Sequence, residues 1–211
     1  MGTAPRLAIR ARDVAAPPPG RREIAVRLFV ALELPAGHRA ALEGVCEEGR
    51  RGGVRWVPAA NVHLTLKFLG EVEETLLPEI EAALAAVASE AAPFSLSLAG
   101  GGCFPSPRSP RVVWVGVGAG AEEAAALAAA VDRALRPLGF SREKRRFRAH
   151  LTIGRPKGGK ESAASAADKI EHLRGFEAPA EAAEVLALVK STLTPEGAVY
   201  DVLARLPLGA D

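Results

Sequence analysis

A tetrad that occurs twice sets the terms for this chain. His63-Leu64-Thr65-Leu66 returns 87 residues later as His150-Leu151-Thr152-Ile153. In a chain of 211 residues, a repeat on that scale predicts two similar lobes of about 90 residues each. Both copies read as strands, where alternate side chains share a face roughly 6.5 Å apart. His63 and Thr65 then project together, Lys67 continues their polar side, and Leu64, Leu66 and Phe68 are expected to enter a core. In the second copy Arg148, His150 and Thr152 face one way while Leu151 and Ile153 face the other.

Around the tetrads the chain alternates between two periods. Arg27 to Leu32 is a β-rich run, stopped by Pro35. A helix with Leu42, Val45 and Cys46 on its inner stripe is expected next, then a strand over 61–70. Leu76, Leu77, Ile80, Leu84 and Val87 lie at helical spacing, with Pro78 in the first turn, where its missing N–H costs little. Further strands are expected at 94–98, 111–117, 145–154, 185–191 and 200–206, and further helices at 122–138 and 162–173. Gly100 to Pro110 and Gly158-Gly159 read as loops. This mixture is α+β. Residues 1–23, with Pro17-Pro18-Pro19-Gly20 and no sustained apolar period, read as a flexible extension, and 24–208 as one bilobal domain.

Composition narrows the class. The net charge is only +2, so the whole chain is not a generic polyanion binder. Between Arg142 and Lys160, however, eight basic residues stand against the single acid Glu143, an excess that would attract a phosphate-bearing ligand. Cys46 and Cys103 form no CxxC or disulfide pattern, no run approaches a membrane span, and no secretory signal is evident. A monomer in the cytoplasm, away from membranes, is expected.

Two histidines with matched threonines suit one chemistry well. Hydrolysis of a phosphodiester needs two proton transfers, one from the attacking water and one to the departing alkoxide. Imidazole, with an ordinary pKa near 6.5, can serve as base in one copy and acid in the other at neutral pH. Threonine hydroxyls can donate to the non-bridging oxygens as charge grows on them. This scheme calls for no cofactor and no metal, and no third ligand stands near either tetrad at metal-site spacing. A single histidine on an apolar strand is ordinarily a packed or surface residue; the recurrence with Thr at +2 is what separates this pair from His38 and His172, both expected at the surface.

Beyond the tetrads, Arg27-Leu-Phe-Val-Ala-Leu-Glu-Leu-Pro35, Val54-Arg-Trp-Val-Pro58, Asn61 to Glu71, Pro110 to Val117 and Phe147 to Ile153 resemble, in order, the RNA 2′,3′-cyclic phosphodiesterases, or 2′-5′ RNA ligase-like proteins. Where that family usually has Pro before its second histidine, this chain has Ala149. The resemblance implies a bilobal two-histidine phosphoesterase fold: two antiparallel sheets in pseudo-twofold symmetry around a central cleft, helices outside. It implies hydrolysis of an RNA 2′,3′-cyclic phosphate end to a 2′-phosphomonoester, with tRNA fragments or nucleotides among the partners. By position, His63 would be the proton donor and His150 the proton acceptor. Thr65 and Thr152 would grip the phosphate, with Arg148 and Arg155 as added phosphate or ribose contacts. Alternatives that leave the fold unchanged are 2′-5′ ligation or phosphodiester cleavage, a nucleotide cyclic phosphodiesterase, and an RNA- or nucleotide-binding module without turnover.

Overall fold

The computed structural model describes residues 25–48, 53–195 and 197–210; the expected extension over 1–23 lies outside them. Among the described residues, strands β1 (Ala25–Leu32), β2 (Val54–Trp56), β3 (Leu64–Glu73), β4 (Phe94–Ser106), β5 (Ser109–Val117), β6 (His150–Pro156), β7 (Glu177–Ala183), β8 (Val185–Thr194) and β9 (Gly197–Pro207) are connected through helices α1 (Ala36–Glu48), α2 (Leu77–Glu90), α3 (Ala121–Leu135) and α4 (Lys160–Leu173). Helix α2 buries Ile80, Leu84 and Val87, the stripe that the spacing predicts, and Pro78 lies in its first turn. Helix α3 buries Leu127, Val131 and Leu135 at intervals of four.

The strands join edge to edge in the order β7-β4-β5-β6-β3-β1-β8-β9, with β2 beside β6. Every pairing is antiparallel. The two expected sheets are therefore present as halves, β6-β5-β4-β7 and β3-β1-β8-β9, that meet at one residue pair, Leu64 opposite Leu151. Past that bridge β6 gives its edge to β2 instead, with Trp56 opposite Gly154 and the Val57 N–H donating to Ile153 O at 2.9 Å. The tetrad strands thus separate, and the sheet opens into a cleft.

A twofold that exchanges the tetrads carries β1 onto β5, β3 onto β6 and β4 onto β8. The third strand of each repeat lies in the other repeat's half: β4 pairs with β5, and β8 pairs with β1. Helices cover the face away from the cleft, α2 against β8 and β9, α3 against β3, and α4 against β4 and β5. Their contacts with the strands enclose one large core that spans both halves.

Three expectations need correction. Gly100 to Ser106 is strand, not loop, and forms a hairpin with β5. Two of its glycines are there for lack of room: a Cβ on Gly101 would stand 2.5 Å from the Leu173 Cβ, and one on Gly102 2.6 Å from the Trp114 ring. His38 is fully buried rather than exposed, and its Nε2–H donates to Pro179 O at 2.8 Å, so α1 is held to β7 of the opposite half. Asn61 belongs to a short 3₁₀ turn and 145–149 is irregular, which places each histidine at the entry of its strand.

The alternation also breaks inside both tetrads. Ala31 faces Thr65 but Val30 faces Lys67, so Leu66 is an extra residue. Trp114 faces Thr152 but Val113 faces Gly154, so Ile153 is extra. Each is a β-bulge, and both fall on the fourth residue of the tetrad. Past the bulge the faces exchange, and two successive residues turn inward in each copy. Lys67 is accordingly 9% exposed and Phe68 68%, the reverse of simple alternation.

Lys67 is stabilised where it lands. Its Nζ donates to Asp132 Oδ1 of α3 at 2.6 Å and to Ser141 O at 2.9 Å. Asp132 also accepts the Glu143 N–H at 3.0 Å and Arg136 Nη2 at 3.1 Å. Burial alone would raise the Asp132 pKa, but these donors hold it down at about 2, against an ordinary 3.8. Removing one partner from such a pair leaves a buried charge uncompensated. Asp132→Ala should therefore lower the unfolding free energy by about 3 kcal/mol at pH 7, and Lys67→Met combined with Asp132→Leu should recover part of it. Because the folded carboxyl has the lower pKa, its stabilisation is present above about pH 4 and lost as pH falls towards 2. Denaturant titrations of wild type and Asp132→Asn should converge over that window; a constant gap would exclude the ionised pair as the cause.

Candidate active site

The Leu64–Leu151 bridge determines what faces the cleft. Both leucines are fully buried towards the helices, so the residues on either side of them point the other way. Antiparallel register then puts His63 across from Thr152 and Thr65 across from His150. The four tetrad side chains form a crossed arrangement over one backbone contact, each histidine beside the threonine of the other copy.

The imidazoles are anchored alike. His63 Nδ1 lies 2.9 Å from Asn61 O, and His150 Nδ1 lies 2.7 Å from Arg148 O. A carbonyl oxygen only accepts, so both Nδ1 atoms carry the proton, and in the neutral ring Nε2 keeps its lone pair. Each bond reaches back two residues and is made where the chain has not yet entered the ladder, which leaves that carbonyl free to accept. Neither Nε2, and neither threonine hydroxyl, has a protein hydrogen-bond partner among the described residues.

Aromatic rings hold both imidazoles from the side. Phe29 stacks on His63 with centroids 4.5 Å apart and planes at 22°, and Tyr200 of β9 meets it edge-on at 5.2 Å. Phe104 of β4 meets His150 edge-on at 5.0 Å, and Trp114 of β5 stands at 6.4 Å. Sequence reasoning gave these four rings no role. One signal was available: period-two alternation in 27–32 sets Phe29 and Ala31 on the face opposite Leu28, Val30 and Leu32. Phe29, Ala31, Ala187 and Val189 form a small apolar floor there, closed by Tyr200.

The two arginines are also located. Arg148 is exposed, its guanidinium 5.2 Å from the Phe104 ring centroid and 6.0 Å from that of Trp114. Arg155 follows the second bulge, which turns it to the face of His150 and Thr152, and its charge acts on His63. The His63 pKa is lowered, first by burial and also by Arg155, against the opposing pull of the Asn61 carbonyl. Beside His63 a recess of about 110 Å³ is lined by Asn61, Tyr200, Val202, Glu33 and Arg205, the last two joined at 2.8 Å. Among the described residues, no cluster of three or more His, Cys, Asp or Glu side chains is placed to hold a metal ion. No described helix is long and apolar enough to cross a membrane.

Comparison with known proteins agrees with this geometry. A family model described as LigT like Phosphoesterase matches the chain twice, at 32–114 and 115–200, one match for each tetrad. The RNA 2′,3′-cyclic phosphodiesterase of Archaeoglobus fulgidus is 39% identical over 183 residues, which cover 83% of this chain and 96% of that protein. That of Thermus thermophilus is 36% identical over 196 residues, covering 87% and 90%. Among solved structures, TT0787 of Thermus thermophilus superposes with a TM-score of 0.73 at 32% identity, over 88% of this chain and 99% of its own. E. coli LigT complexed with 3′-AMP gives 0.66 at 27% identity, over 89% and 100%. Matched separately in its two halves and over the full cleft, the chain belongs to the LigT-like phosphoesterase family.

Proposed function

We propose that this protein hydrolyses RNA 2′,3′-cyclic phosphate ends to 2′-phosphomonoesters by metal-independent acid–base catalysis. The observation that carries this reading is the crossed placement of two Nδ1-anchored imidazoles and two unpartnered threonine hydroxyls over the Leu64–Leu151 bridge. The names of the relatives in Archaeoglobus fulgidus and Thermus thermophilus point to the same substrate.

The cyclic phosphate sits over the bridge, its non-bridging oxygens taking hydrogen bonds from Thr65 and Thr152. His150 Nε2 removes a proton from water as the water oxygen bonds to phosphorus. The P–O3′ bond breaks, and His63 Nε2–H gives its proton to the leaving 3′ oxygen. Charge builds on the non-bridging oxygens, where the threonines and Arg155 face it, with Arg148 as a further cation at the His150 side. The depressed pKa of His63 makes its imidazolium a stronger acid than a free imidazolium, and an arriving phosphate anion favours its protonated form. Both proton transfers are supplied by imidazole, so the reaction has no step left for a metal.

An end-group assay in excess EDTA tests this directly, using a short RNA that ends in a 2′,3′-cyclic phosphate. Wild type should yield a 2′-phosphate, and His63→Ala and His150→Ala should each be slower by about 10²–10⁴-fold, with losses far from additive. A 3′-phosphate product, or activity restored only by a divalent cation, would overturn the mechanism.

The pH profile of kcat/KM reports the titrating pair. It should be bell-shaped, and because burial lowers the His63 pKa, one limb should lie below the ordinary imidazole value. Phe29→Ala admits water to His63, weakens the burial that lowers its pKa, and should move that limb upward. A profile in which neither limb moves would exclude His63 from the titrating pair.

A further inference from the structure

The paired bulges have an unequal result. In the second copy the residue turned into the cleft is Arg155; at the equivalent position of the first it is Phe68, 68% exposed. Phe68 lies directly across from Phe29 in the β1–β3 register, with ring centroids 6.0 Å apart, and Phe29 stacks on His63. His63, Phe29 and Phe68 are thus successive rings leading out of the cleft, and the last is bare on its outer side.

A hollow of about 480 Å³ begins there, bounded by Phe68 and Leu69 on one side and by Phe140, Ser141 and Arg142 on the other. Its size falls within the roughly 300–1,000 Å³ of sites that take small organic ligands. Lys67 fixes the far wall through its hydrogen bond to Ser141 O, so the wall is held rather than loose. From Arg142 the chain runs as exposed coil through Lys144, Arg145 and Arg146, and none of these side chains has an ion-pair partner among the described residues. The acid in the segment, Glu143, is turned back on the chain, accepting the Arg145 N–H at 2.9 Å. Glu71 lies at the rim, and Asp132, behind the wall, is already paired with Lys67 and Arg136. An exposed aromatic face beside a row of uncompensated cations fits single-stranded nucleic acid, whose bases stack and whose phosphates need counter-charge.

We propose that this hollow is a second nucleotide subsite: Phe68 stacks the base that precedes the cyclic end of an RNA strand, and Arg142, Lys144, Arg145 and Arg146 take the phosphates upstream. The proposal rests on the reading of the cleft as the seat of a cyclic RNA end. It makes the protein a reader of strands rather than of isolated nucleotides.

The test compares uridine 2′,3′-cyclic phosphate with a tetranucleotide ending in the same group, measuring both kcat/KM and Kd. Wild type should prefer the tetranucleotide. Phe68→Ala should cut kcat/KM for the tetranucleotide by about tenfold and that for the mononucleotide far less, while Phe68→Trp should restore the preference. Replacing Arg142, Arg145 and Arg146 together by Ser should reduce the slope of log Kd against log salt for the tetranucleotide by about 2. Equal losses on both substrates would overturn the subsite, since Phe68 would then act only through Phe29 and His63. So would a wild type without preference for the longer substrate. Should wild type turn over neither, the functional reading fails by itself. The Kd values still decide the subsite, which stands if Phe68→Ala weakens the tetranucleotide alone and falls if it does not.

Discussion

One backbone contact organises the cleft. Two antiparallel strands that paired along their whole length would bury the tetrads in a flat sheet; strands that never met would leave the histidines at no defined separation. The Leu64–Leu151 bridge, followed at once by divergence as β2 takes over the edge of β6, avoids both. It brings four polar side chains to one point and opens space above them. The two leucines are fully buried, so their packing against the helices resists the rotation of either strand that would dissolve the arrangement. The buried Lys67–Asp132 pair adds a tie behind β3, to the segment that leads towards His150.

What could be read in the sequence stopped at the same residue in both copies. Alternation correctly set His63 and Thr65, and His150 and Thr152, on one face, because pairing is regular as far as the threonines. It failed beyond them, at Lys67, Phe68 and Arg155, because a bulge is a property of two strands together and leaves no mark on either one. The resemblance still singled out Arg155, which a strict period of two would have turned away from the cleft. The Gly100 to Gly102 run was misread for a related reason. Glycine is taken for a loop former, yet at 101 and 102 it is the residue that leaves room for Leu173 and the Trp114 ring. His38 looked like a surface residue because its partner, Pro179, is 141 positions away, and no local pattern reports such a contact. The helical stripes of α2 and α3 needed no such partner, and there the spacing sufficed.

The symmetry of the cleft is one of backbone, and the side chains depart from it. The tetrads, the Nδ1 anchors and the bulges recur in both halves, whereas the flanking residues differ: a stacked phenylalanine lowers the exposure of His63, while His150 is met only edge-on by its neighbours. Two histidines in equal surroundings would titrate alike, which is a poor basis for an acid and a base working in one step. Unequal packing around an equal scaffold lowers the pKa of His63 through burial without disturbing the placement of its ring.

The exchange of third strands between the repeats bears on how such a chain comes into being. Strand β1 must find β8, with Leu28 opposite Lys190, and so most of the polypeptide has to be made before the first half-sheet can close. A ribosome delivering this protein holds out an open-edged, antiparallel β1–β3 pair with a bare apolar face until the last strands emerge, the kind of intermediate that non-local topologies expose to aggregation. The same exchange means that neither repeat can be excised as a unit. Cutting between β4 and β5 would give two pieces, each carrying one tetrad and one strand that belongs to the other. Such fragments could become whole only by association, so the interleaving keeps the two tetrads in a single molecule as effectively as the peptide bond between them.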